Sequence, residues 1–174
     1  MEATRKIIDD GYTLIITVDC GISAIKEIEE CNKCSVETII TDHHEQGSEL
    51  PKAYAIIDAK RKDANYPFRE LAGVGVVFKL IQAISIKLNL DAKEYLKYLD
   101  IVCLGTISDI VPLINENRVI VKLGLKLMQE TRNIGLRELI VASGYNVEIS
   151  LVESNKTSNF KSFRTGICFL ASFK

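Results

Sequence analysis

The feature that most constrains the fold of this chain lies between Thr13 and Thr41, where the hydrophobic period changes twice. Thr13 to Val18 reads TLIITV, β-branched and almost wholly apolar, the pattern of a strand covered on both faces. From Ser23 to about Lys33 the spacing turns helical, with Ile25 and Ile28 on one side and Lys26, Glu29 and Glu30 on the other. Val36 to Thr41 (VETIIT) is again a strand. Strand, helix and strand within about thirty residues is the size of a crossover between two parallel strands, so this region predicts an α/β unit.

The flanking sequence extends that unit. Glu2 to Asp10 predicts a helix stopped at Gly11. Tyr54 to Ile57 (YAII) predicts a third short strand, and Lys60 to Pro67 a polar turn. Beyond it, Val74 to Leu88, Ala92 to about Leu104, Arg118 to Glu130 and Leu136 to Ala142 carry apolar residues three and four apart. A helical part over about 70–144 is therefore expected to follow a sheet part over about 1–60. The whole, 174 residues, is one domain's worth of chain.

The last 24 residues differ: they hold four of the six Phe, with four basic residues against one acidic. Such a tail reads as a nucleic-acid arm or as a poorly structured end, and over 145–174 the second is the expectation.

Charge and cysteine usage narrow the setting. Lys plus Arg number 22 against 23 Asp plus Glu, so no global positive field draws in a polyanion, and any nucleic-acid contact must be local. Lys60-Arg61-Lys62 reads either as such a contact or as a solvated turn. No apolar run reaches the length of about 18 residues that spans a membrane, and the N-terminus lacks signal-peptide order; no membrane role and a cytoplasmic setting are expected. Of the five cysteines, Cys31 and Cys34 form a C-x-x-C pair. Zinc would need a second ligand pair, and a redox motif should open a helix rather than close one.

Two predicted strands end alike: TLIITV runs into Asp19-Cys20-Gly21, and VETIIT into Asp42-His43-His44-Glu45. Carboxyl ends of parallel strands line the ligand crevice of an open sheet, so these groups are expected to face one crevice from strands that are neighbours or one position apart. Carboxylate oxygen with imidazole nitrogen suits Mn²⁺, Mg²⁺ or Fe²⁺. Plainer readings stand beside this one: Asp19 as a helix cap, and the histidine pair as a solvated loop. Against them, the chain's only two histidines stand together, directly after a strand and beside an Asp. Downstream, Asp109 is the sole charge from Ile101 to Ile114, which reads as a buried carboxylate needing a partner or as a cap or turn stabilised by Pro112. Gly73-Val74-Gly75 suggests a phosphate contact, but position 78 is Phe, so the dinucleotide fingerprint fails and a tight turn opening a helix is the alternative.

Together, ITVDCGIS, ITDHHEQG, LAGVGVVFKL and LGTISDIVPL, in this order, resemble the DHH phosphoesterase superfamily, and the phrasing is similar to its single-stranded-DNA-specific exonuclease branch. The resemblance covers residues 2 to about 144. It implies a partial, parallel-sheet, Rossmann-like DHH domain followed by a helical subdomain, and hydrolysis of phosphodiester bonds 5′ to 3′ with two Mn²⁺ or Mg²⁺ ions. It further implies that Asp19 bridges the metals, that His43 and Asp109 are metal ligands, and that His44 contacts the scissile phosphate, with Asp42 holding the imidazoles from behind. Gly73 and Gly75 are candidate substrate contacts. Single-stranded DNA is the implied partner, with DNA-repair proteins as further ones and no oligomeric state indicated.

The sequence also departs from that pattern. An upstream H-x-D-x-D-G segment, expected to supply the remaining metal ligands, is absent, and no two glycines are adjacent, so a Gly-Gly-Gly-His-type substrate segment is absent too. The expectation is a fragment with an incomplete two-metal site, inactive as this chain, in which TLIITV leaves an exposed apolar edge. The alternatives are a small-molecule or oligonucleotide phosphoesterase and a non-catalytic metal- or nucleic-acid-binding remnant.

Overall fold

A computed structural model describes residues 2–142. Its elements are α1 (Glu2–Asp9), β1 (Leu14–Val18), α2 (Ile25–Lys33), β2 (Glu37–Thr41), β3 (Ala55–Ile57), α3 (Gly73–Lys87), α4 (Lys93–Leu96), α5 (Leu99–Ser108), α6 (Asn115–Met128) and α7 (Ile134–Ala142). They fall into two compact units, one up to Val77 and one from Phe78. The tail at 145–174 lies outside the described residues.

In the first unit the period changes are realised as strands and helices. The three strands lie in the order β1-β2-β3, all parallel, with Leu14 beside Glu37, Val18 beside Thr41, and Thr41 beside Ile57. As expected, α1 ends at a left-handed glycine, Gly11, with φ +82°. α2 buries Ile28 and Cys31, and Ile40 of β2 is fully enclosed. Cys31 stands in the last turns of α2 and Cys34 caps its C-terminus, so the pair closes a helix.

Coverage of β1 on both faces does not hold. Leu14, Ile16 and Val18 are about half exposed, and β1 is an edge strand among the described residues. An apolar run reports the character of a strand, whereas its burial depends on neighbours that the run itself does not encode.

The second unit is helical. Its core joins Cys103, Ile107, Val121, Leu125, Met128 and Leu136 from α5, α6 and α7. The two long partners pack closely at Gly124, where a methyl group would overlap the Leu99 carbonyl and the Cys103 side chain. One expected helix divides: Ala92 to Leu104 becomes α4 and α5, separated at Lys97 and Tyr98. The apolar spacing runs through the break because Leu96 and Leu99 stand three apart on either side of it. Burial within the unit includes Asp100, which accepts a 2.5 Å hydrogen bond from the Thr131 hydroxyl.

Candidate metal centre

Adjacent parallel strands place their terminal residues side by side. The Asp19 N–H donates to the Thr41 carbonyl at 3.0 Å, and the Asp42 N–H donates to the Ile57 carbonyl at 3.1 Å, so the ladder continues one residue beyond each strand. Asp19 and Asp42-His43-His44 thus emerge from neighbouring strands at one edge of the sheet.

Asp19 turns out of β1 with φ +62°, a left-handed conformation that Asp adopts more readily than most side chains. The Thr17 hydroxyl secures the turn by donating to the Cys20 carbonyl at 2.7 Å. Asp19 is not a helix cap: the residue before α2 is Ala24, and no side chain caps that helix. Its carboxylate is instead 3.1 Å from His43 Nε2, and its side chain remains 56% exposed, open to a ligand.

Asp42 is the buried counterpart. Its carboxylate accepts hydrogen bonds from the backbone N–H groups of Ile22 at 2.9 Å, His43 at 2.8 Å and His44 at 3.2 Å. One of its oxygens also lies 2.7 Å from His44 Nδ1. Burial works to raise this carboxyl, but those bonds outweigh it and hold the group below the ordinary carboxylate range. Asp42 grips one imidazole, that of His44, whereas the His43 ring is oriented toward Asp19. The two rings meet edge to face at 4.4 Å.

The result is a compact donor set. Asp19, His43 and His44 each offer a ligand atom, and these atoms lie within 4.8 Å of one another. One hard oxygen and two imidazole nitrogens suit a divalent transition metal, and Asp42 orients the His44 ring through Nδ1. His44 thus lies in one cluster with Asp19 and His43. Asp109 belongs to the second unit, at the C-cap of α5, and is exposed. Of the two readings the sequence left open, burial and a cap or turn, the structure has the cap: Asp109 stands at the end of α5, followed by Ile110 with φ +62°.

Gly73 and Gly75 lie in the first turn of α3, and both are buried. Gly73 packs directly against the Asp19 side chain.

Sequence reasoning missed Asp58. It follows β3 just as Asp19 and Asp42 follow β1 and β2, and it is 5% exposed. One carboxylate oxygen accepts the Lys60 N–H at 2.7 Å, while Oδ2 is buried without a hydrogen-bond partner among the described residues. Burial, reinforced by the nearby Asp42 charge, pushes this carboxyl above its usual range. The signal was present in YAIID, a strand followed by an acid.

A family model, the N-terminal domain of the DHH family, matches residues 2–106. The chain is 46% identical over 146 residues to the single-stranded-DNA-specific exonuclease RecJ of Bacillus subtilis, an alignment covering 84% of this chain and 18% of that protein. It is 40% identical to the Escherichia coli RecJ over 124 residues, which is 66% of this chain and 22% of the relative. Among solved structures, it resembles an exonuclease RecJ bound to manganese with a TM-score of 0.76 and 34% identity, covering 95% of this chain and 39% of that one. The RecJ–Mn²⁺ complex from Thermus thermophilus aligns with a TM-score of 0.73 at 29% identity, over 96% of this chain and 26% of its own. The chain thus spans well under half the length of these relatives.

Proposed function

This chain belongs to the DHH family, and from that membership we propose that its strand-end cluster serves metal-dependent hydrolysis of phosphodiester bonds in single-stranded DNA. The observation that carries the reading is the convergence of Asp19, His43 and His44 within 4.8 Å at the carboxyl ends of two parallel strands. Mn²⁺ fits this donor set, since it takes both carboxylate oxygen and imidazole nitrogen, whereas Mg²⁺, a harder ion, would rest on the Asp19 carboxylate and water.

Each residue then has a task. Asp19 and His43 hold the cation. Asp42 fixes His44 through Nδ1 and keeps the ring ready to meet either the ion or the phosphate. A cationic His44 stabilises negative charge developing on phosphate oxygens. Gly73 and Gly75 bring backbone close to the crevice. When bound there, divalent ions would supply Lewis-acid charge and a nucleophile available at neutral pH. Free cysteines at positions 20, 31, 34 and 103 suit a reducing, cytoplasmic setting. Single-stranded DNA is the proposed substrate, reached together with DNA-repair proteins.

Two measurements test this reading. Calorimetric titration should show Mn²⁺ binding to the chain that is lost in Asp19→Ala. Incubation with Mn²⁺ and a 5′-labelled single strand is the activity readout: this chain is expected to be inactive, and mononucleotide release that disappears with Asp19→Ala would overturn the inactivity while supporting the site. Binding or release that survives Asp19→Ala sinks the proposal.

A further inference from the structure

We propose that Gly73 is the positioning residue for Asp19: the missing side chain at the start of α3 is what lets the carboxylate occupy its place beside His43. The inference rests on the metal reading only for its functional consequence, because the geometry stands by itself. A methyl group on Gly73 would lie 2.7 Å from the Asp19 Cγ and 2.9 Å from its Cβ, and would overlap Oδ1. These separations fall below normal van der Waals contact, so one partner must move. Gly73 is buried at the first residue of a 15-residue helix, whereas the Asp19 side chain is 56% exposed. The mobile partner is therefore Asp19, which has open solvent into which to swing. Its displacement breaks the 3.1 Å approach to His43 Nε2 and scatters the donor set.

The expected signature is a separation of two effects. Alanine is the better helix former, so α3 itself is not weakened by the change. Gly73→Ala should therefore leave the melting temperature near that of the parent chain while weakening Mn²⁺ binding at least tenfold by calorimetry. Gly135→Ala is the control: at Gly135 an added methyl meets only Asn133 Oδ1 at an ordinary 3.5 Å, and Mn²⁺ binding should be unchanged.

Two further readouts need no metal. A crystal structure of metal-free Gly73→Ala should show the Asp19 carboxylate beyond hydrogen-bond distance of His43. A double-mutant cycle against Asp19→Gly, which removes the obstructing side chain and suits φ +62°, should abolish any stability cost of Gly73→Ala. If the parent binds Mn²⁺ and Gly73→Ala binds it equally well, the inference is overturned. It is also overturned if Asp19 stays at His43 in the variant, or if a measurable stability cost of Gly73→Ala persists undiminished in the Asp19→Gly background. Failure of the parent chain to bind Mn²⁺ would remove the metal reading instead, while the crystal structure and the cycle would still decide the role of Gly73.

Discussion

β1 and β2 are neighbours of nearly the same composition, each running into an aspartate, yet they live in opposite environments. β1 leaves Leu14, Ile16 and Val18 half exposed and ends in an exposed Asp19; β2 encloses Ile40 completely and ends in Asp42, 1% exposed. The difference teaches that position in the sheet, rather than the local run, divides the labour. The central strand supplies a rigid, hydrogen-bonded platform, and the outer strand presents the reactive carboxylate on top of it. Substitutions at matching positions of the two strands test that division.

The largest contrast is apolar. Ile40→Ala should cost about 3 kcal/mol by urea denaturation, as for other fully buried large-to-small changes. Ile16→Ala, at a site 52% exposed, should cost roughly 1 kcal/mol or less. Equal costs would break the comparison and mean that the outer face of β1 is covered in solution. Light scattering would then reveal whether a second copy covers it, through the strand edge that the described residues leave open.

A second contrast lies at the strand ends. Asp42→Ala removes the acceptor for three backbone N–H groups and the His44 ring. With those donors left in a buried site, the loss should be on the order of 2–3 kcal/mol. Asp19→Asn keeps a side chain tolerated at positive φ and should shift stability by less than about 0.5 kcal/mol. A stability cost at Asp19 matching that at Asp42 would show that the outer carboxylate is structural rather than poised for a ligand.

Much of this arrangement was legible because it rests on period and on strand ends. TLIITV and VETIIT identified parallel strands, and the acids after them identified the crevice. What escaped has physical causes. The run TLIITV by itself reads as covered on both faces, and the exposure of Ile16 was legible only through the absent H-x-D-x-D-G segment, which predicted an open apolar edge. The break between α4 and α5 hides within continuous apolar spacing, since Leu96 and Leu99 stand three apart on either side of it while the backbone departs from helix at Lys97 and Tyr98. Asp109 read either as a buried carboxylate or as a cap, and its apolar sequence neighbours could not decide between them; it stands at the exposed C-cap of α5. The division of roles between His43 and His44 came from the Asp42 side chain, whose reach is a matter of three dimensions.

The smallest predicted effect extends the comparison to the third strand, where Asp58 is buried like Asp42 but lacks its donors. Asp58 receives a single backbone hydrogen bond, and burial near the Asp42 charge raises its carboxyl above the usual range. A folded-state value above the unfolded one means that the folded protein holds this proton more tightly. The contribution to stability is therefore full below the ordinary carboxylate pKa of about 4 and is lost as pH rises through the raised value. Asp58→Asn removes that ionisation while retaining an oxygen for the Lys60 N–H. At pH 7 the variant should be more stable than the parent by about 1 kcal/mol, the scale of relieving one poorly satisfied buried group. The advantage should shrink as pH falls and vanish below about pH 4, where the parent is protonated as well. Urea denaturation of both proteins at pH 7 and pH 3.5 measures the difference. An advantage independent of pH would assign the effect to packing, and a loss of stability at pH 7 would mean that the Asp58 charge has a favourable partner in the folded chain.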